Sequence, residues 1–163
     1  MNVALRSPVK FDIHGLVQAV AHNHSNDSFA PTLTPLQWEV LGSYMQPFAL
    51  MQGQLLIEQS ALDRTLYLIE SGSLTVHYKD SRGRVRMALV GPGSAVGEGA
   101  FFTRLPRNAT VQAAGASKLW CLTPIRFTEL SNRHPAVALE LAMALGSLIA
   151  RRLVNKPKRI AVT

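Results

Sequence analysis

With 163 residues the chain has room for one domain with a substantial core, and not for two. Hydrophobic residues at 47% and charged residues at 17% exclude wholesale disorder and a collagen-like repeat, and a single cysteine, Cys121, excludes an intramolecular disulfide framework. The formal net charge of +7 is partly a property of the chain's end, since Arg151, Arg152, Lys156, Lys158 and Arg159 account for five of the 17 basic residues.

The opening MNVALRSPVKF lacks a continuous apolar run followed by small residues. No stretch reaches the roughly 18 apolar residues of a membrane span, so a cytoplasmic protein without a span is expected. Residues 1–31 mix apolar and polar positions without period and contain HNHSND, which predicts a flexible leader with a helical turn around Ile13 to Val20. His14, His22 and His24 have no carboxylate or cysteine partner at a recognised ligand spacing, so no metal site is expected. Thr34 followed by Pro35 predicts an N-cap with a first-turn proline, and Leu36, Val40, Leu41 and Tyr44 continue at helical spacing to about Met45.

From Phe48 to Thr123 the period changes. LLIEQ, TLYLIE, SLTVHYK, RVRMALV, NATVQA and SKLWCLT are short runs of apolar or β-branched residues separated by glycine-containing turns. Cys121 sits inside the last of them and is expected to be a buried, inert thiol. Thr123 and Pro124 then repeat the cap-and-proline signal. Pro135 opens a second helical run with Val137, Leu141, Leu145, Leu148 and Ile149 on one stripe and Ala138, Ala142 and Gly146 beside it. The fold class expected is mainly β with flanking helices: an eight-stranded β-roll or jelly roll with an N-terminal helix and two C-terminal helices. The domain spans residues 32–153, and a basic tail covers 154–163. The charge of Arg151, Arg152, Lys156, Lys158 and Arg159 is expected to be solvated at a helix end.

The stretch from Leu89 to Ala113, LVGPGSAVGEGAFFTRLPRNATVQA, concentrates the chemistry. Gly97 and Gly99 frame Glu98 and let backbone amides approach a ligand with no Cβ in the way, so a helical turn starting there makes a phosphate cradle. Arg107 supplies a planar, permanently charged set of donors suited to one phosphodiester anion. Glu98, acceptor-only when ionised, suits a sugar hydroxyl. Phe101, Phe102, Trp38 and Trp120 are expected in the core, and Arg104 in solvent.

This segment resembles the phosphate-binding cassette of the cyclic nucleotide-binding domain family, whose pattern is a Gly-Glu pair, a short apolar turn and an arginine followed by two small residues before a strand. Here the pattern is Gly97-Glu98, then Gly99-Ala100-Phe101-Phe102, then Arg107-Asn108-Ala109 leading into TVQA. The similarity extends over about residues 36 to 153. The resemblance implies that Glu98 accepts the ribose 2′-hydroxyl, Arg107 holds the exocyclic phosphate oxygens, and the amides near Gly99, Ala100 and Ala109 complete the cradle, with Gly97 and Asn108 also among the ligand-binding residues. Ser147 or a neighbour on the closing helix meets the purine. Gly99, Asn108 and Ser60 depart from the family's common residues.

The ligand implied is cAMP or cGMP, with no cofactor, and the role is a regulatory sensor whose C-terminal helices move on binding. The alternative is a ligand-free scaffold for dimerisation or protein docking. A homodimer through the C-terminal helix and an effector protein are the expected partners. No pairing of nucleophile and base points to an enzyme. Only about ten residues follow Leu153, too few for a helix-turn-helix, so sequence-specific DNA binding is not expected. Removing Arg107 is expected to cost ligand and leave the fold intact.

Overall fold

The computed structural model describes residues 12–155. In chain order it has α1 (Ile13–His22), α2 (Pro35–Tyr44), β1 (Gln46–Leu50), β2 (Leu55–Ile57), β3 (Leu66–Ser71), β4 (Leu74–Lys79), β5 (Val85–Val90), β6 (Ala95–Val96), α3 (Glu98–Thr103), β7 (Thr110–Ala113), β8 (Ser117–Leu122), α4 (Pro124–Arg133) and α5 (Pro135–Val154). The strands form two four-stranded antiparallel sheets, ordered β1-β8-β3-β6 and β2-β7-β4-β5. The expected eight-stranded roll with flanking helices is therefore the architecture observed, with α1 and the short α3 as additional helices.

Local chemistry places the helix ends. Thr34 accepts the Gln37 amide while the Gln37 side chain accepts the Thr34 amide, a reciprocal capping box with Pro35 in the first turn. Thr123 accepts from the Arg126 amide ahead of Pro124 and opens α4 in the same way.

Alternation along the strands divides the core in two. On the first sheet, Leu66, Leu68, Trp120 and Leu122 face outward and pack with Leu16, Trp38, Leu41 and Leu130 from the helices. Ile69, Val96 and Leu119 face inward and meet Ile57, Leu74, Val76, Val90 and Val111 of the second sheet. Trp38 and Trp120 are core residues, as expected. The histidine-rich region read as leader holds α1 and a loop, with Ile13, Leu16 and Phe29 buried in the helix-side core. Residues 1–11 of the expected leader and residues 156–163 of the expected tail lie outside the described residues.

The apolar stripe of α5, one of the faces that a homodimer through this helix could use, packs inside the chain. Leu141, Leu145 and Leu148 are wholly buried against the chain's own roll, where each contributes about 1.5–3 kcal/mol by leaving water. They are not available to a second copy. The opposite side of the helix carries Leu139, Met143 and Leu153, each more than half exposed.

Candidate ligand-binding site

β6, α3 and β7 carry the predicted site residues as one connected unit. α3 starts at Glu98 behind Gly97, whose φ of 86° lies in the left-handed region that glycine adopts without strain. A Cβ on Gly97 would sit 2.7 Å from the Arg107 Nη1 and 2.7 Å from the Thr65 carbonyl oxygen. Glycine there lets the arginine pass under the helix start. Gly97, Glu98, Ala100, Arg107 and Ala109 are buried, Gly99 is half-buried, and Asn108 is exposed at the strand entrance.

Arg107 is held on four sides. Its Nε and Nη2 donate to the Asp63 carboxylate at 3.3 and 2.6 Å, its Nη1 to the Gly97 carbonyl at 2.9 Å, and its Nη2 also to the Thr65 carbonyl at 2.7 Å. Its backbone is pinned as well, with the Arg107 amide donating to Ala61 and the Ser60 amide donating to Arg107. Ser60 adopts a left-handed φ of 74°, the conformation of the turn glycine it replaces. Four of the five N–H donors of the guanidinium are engaged by these contacts. Tyr67 lies close by on the inner face of β3. Burial pushes its pKa up, the Asp63 carboxylate adds to the rise, and the Arg107 charge opposes it.

Glu98 is wholly buried, and its Oε1 accepts from the Nη1 of Arg152 at 2.6 Å. Arg152 comes from the last turn of α5. Its Nε donates to Asp27 at 2.6 Å, and its Nη2 donates to Ser94 Oγ at 3.1 Å and the Ala95 carbonyl at 2.8 Å. The Ser94 hydroxyl in turn donates to Asp27. Burial opposes the charge on Arg152, but Glu98 and Asp27 outweigh it and raise its pKa, so the guanidinium remains charged. Next to it, Arg151 donates to the carbonyls of Asn26 and Ser28, both at 2.8 Å. The expectation of a solvated helix end fails for Arg152, which is only 4% exposed. Ser147 stands on the exposed side of α5, and it is Arg152 that reaches the cradle.

Four partners were invisible to sequence reasoning: Asp63, Arg64, Asp27 and Arg152. Arg64 donates to the Ala100 and Phe101 carbonyls and so fixes α3 from its C-terminal side. The aromatic pair also splits: Phe101 is buried, as expected, whereas Phe102 is 43% exposed, because consecutive helical residues point about 100° apart.

A family model described as the cyclic nucleotide-binding domain matches residues 47–134, the span that contains all of both sheets but Gln46, together with α3 and α4. The chain belongs to the cyclic nucleotide-binding domain family. It is 33% identical over 122 residues to the cyclic AMP receptor protein of Thermus thermophilus, covering 74% of this chain and 55% of that protein. It is 28% identical over 113 residues to the cGMP-dependent protein kinase of Plasmodium berghei, covering 67% of this chain and 13% of the kinase. It thus spans about half of the first relative and a small part of the second. A solved cyclic nucleotide-binding domain from Methylobacillus flagellatus shares the fold, with a TM-score of 0.78 at 20% identity over 91% of this chain and 85% of that one. Domains of this family are sensor and regulatory modules, and the matched residues of this chain include Glu98 and Arg107.

Proposed function

We propose that this domain binds a cyclic nucleotide, cAMP in the first place and cGMP in the second, with Glu98 accepting the ribose 2′-hydroxyl and Arg107 holding the phosphate. The amides around Gly97, Gly99, Ala100, Asn108 and Ala109 complete the cradle. The observation that carries the proposal is the buried, pre-positioned Arg107, locked by Asp63 beneath the glycine-framed start of α3 with one of its five N–H donors unused by these contacts. Preorganised charge of this kind recognises an anion without the cost of ordering the side chain. The relatives whose names carry cAMP and cGMP support the ligand class.

The Glu98–Arg152 pair supplies the route to a response. A ribose hydroxyl that engages Glu98 must share its carboxylate with Arg152 or displace it, and Arg152 is rooted in α5. By displacing Arg152, nucleotide favours one placement of α5 over another, which is the differential affinity a switch requires. Glu98→Ala is expected to weaken a ribonucleotide about tenfold or more while leaving its 2′-deoxy analogue nearly unchanged. Equal losses for both nucleotides in calorimetric titration would remove Glu98 from the sugar site.

The same helix is proposed to join two copies of the domain. Leu139, Met143, Gly146, Ala150 and Leu153 recur by alternating steps of four and three, the spacing of a two-helix seam, and Gly146 has open space where a Cβ would stand. Sedimentation equilibrium should show a dimer that Met143→Asp converts to monomer; a wild-type monomer at about 100 μM contradicts the seam, since such a contact should reach micromolar affinity.

A further inference from the structure

On the outer side of α3, away from the cradle, the residues Arg64, Phe101, Phe102, Arg104, Ile125 and Phe127 wall a cleft of about 350 Å³ against the first turn of α4. Phe101 stands edge-on to both Phe102 and Phe127, with ring centroids 5.3 Å apart in each pair. The aromatic wall is not closed over: Phe102 is 43% exposed and Ile125 is 72% exposed, and Leu105, just past the end of α3, is 64% exposed. Single exposed apolar side chains are ordinary, but several bordering one cleft mark a contact surface. The charge there has one sign, since two arginines and no acid line the cleft. Arg64 is anchored in place by its bonds to the Ala100 and Phe101 carbonyls. Arg104 is held at the end of α3 with a left-handed φ of 60°, which L residues seldom adopt, and among the described residues it forms no ion pair.

We propose that this cleft is the docking site for a segment of a partner protein that inserts an aromatic or leucine side chain between Phe102 and Ile125 and sets acidic residues against Arg64 and Arg104. The exposed side chains of Phe102 and Ile125 on the cleft wall give an inserted side chain its apolar contact, and the two arginines give the residues on either side of it a charge to meet. The unbalanced positive charge selects acidic flanks. Because α3 also carries Glu98 at its start, the docked segment and the cradle share one short helix. The docking surface itself stands on the cleft and does not depend on which nucleotide binds.

The test is selection of random sixteen-residue peptides displayed on phage against the full chain, with counter-selection on the Ile125→Asp variant. The selected peptides are then synthesised and their affinity measured by fluorescence anisotropy. Ile125 and Arg104 are exposed, so both variants should melt like the parent and titrate with cAMP like the parent, which separates this outcome from the nucleotide proposal. The expected result is enrichment of peptides with an apolar anchor beside Asp or Glu, binding at least about tenfold more weakly to Ile125→Asp and to Arg104→Glu, and more weakly as salt rises. No enrichment over the counter-selection, enrichment of basic or uncharged sequences, or equal affinity for parent and variants overturns the proposal.

Discussion

Arg107→Ala is expected to lower the melting temperature by about 5–10 °C and to weaken cyclic nucleotide binding about ten- to a hundredfold, two losses from one side chain. The affinity loss follows from removing a charge-assisted donor to the phosphate. The stability loss follows from what the guanidinium does within the protein: it satisfies the Gly97 and Thr65 carbonyls and neutralises Asp63 from a side chain that is 1% exposed. Asp63 is 49% exposed, so water takes over part of its solvation and the penalty stays at roughly 2–3 kcal/mol rather than the full cost of stranding a buried charge. The fold is expected to stay intact at lowered stability, because the residue proposed to meet the ligand also ties the α3 start to the loop before β3. Arg107→Lys retains the charge but not the paired bond to Asp63, and should fall between the two. An unchanged melting temperature in Arg107→Ala contradicts the geometry described.

Arg152→Met should be the more damaging substitution, costing about 3–5 kcal/mol, because it withdraws one cation from two acids at once. Glu98 is wholly buried and the side chain of Asp27 is 14% exposed, so neither is well placed to be rescued by water. The melting temperature should fall by about 10 °C or more. Adding Glu98→Gln should restore about 1–3 kcal/mol, since a neutral amide costs less than a buried carboxylate when the Arg152 guanidinium is withdrawn. Arg152→Met and Glu98→Gln acting additively in chemical denaturation contradicts a direct pair. The same cycle bears on the proposed response to ligand, because a nucleotide bound at Glu98 as proposed would act on this same pair.

What the sequence discloses and what it hides divide along chain distance. The capping signals Thr34-Pro35 and Thr123-Pro124 are complete within four residues, and the cassette from Gly97 to Ala109 is one contiguous stretch, so both are legible. Arg107 and Asp63 are separated by 44 positions, and Arg152 and Asp27 by 125. No spacing rule connects residues that only the closed roll brings together. Arg152 in particular lies in a run of basic residues and carries every sign of a solvated helix end. Its burial depends on α5 folding back over β6, a tertiary fact.

The α5 stripe shows a different limit. Helical periodicity identifies Leu141, Leu145 and Leu148 as one face, and the face is real. It does not say whether that face packs on its own roll or on another molecule, and a helix with apolar residues on two sides offers both choices. The roll takes Leu141, Leu145 and Leu148, and Leu139, Met143 and Leu153 are left outside. Phe101 and Phe102 follow the same logic on a smaller scale: adjacent positions on a helix cannot both enter one core, so one ring is buried and its neighbour borders the outer cleft.

The most direct measurement is calorimetric titration of the full chain, purified free of carried-over nucleotide, with cAMP and then cGMP, beside Arg107→Lys under the same conditions. The predicted result is saturable binding at one site per chain, tighter for cAMP, and weakened about tenfold or more in Arg107→Lys. Absence of heat and of any thermal shift with both nucleotides, or binding that Arg107→Lys leaves unchanged, contradicts the assignment of the Glu98 and Arg107 cradle as a cyclic nucleotide site.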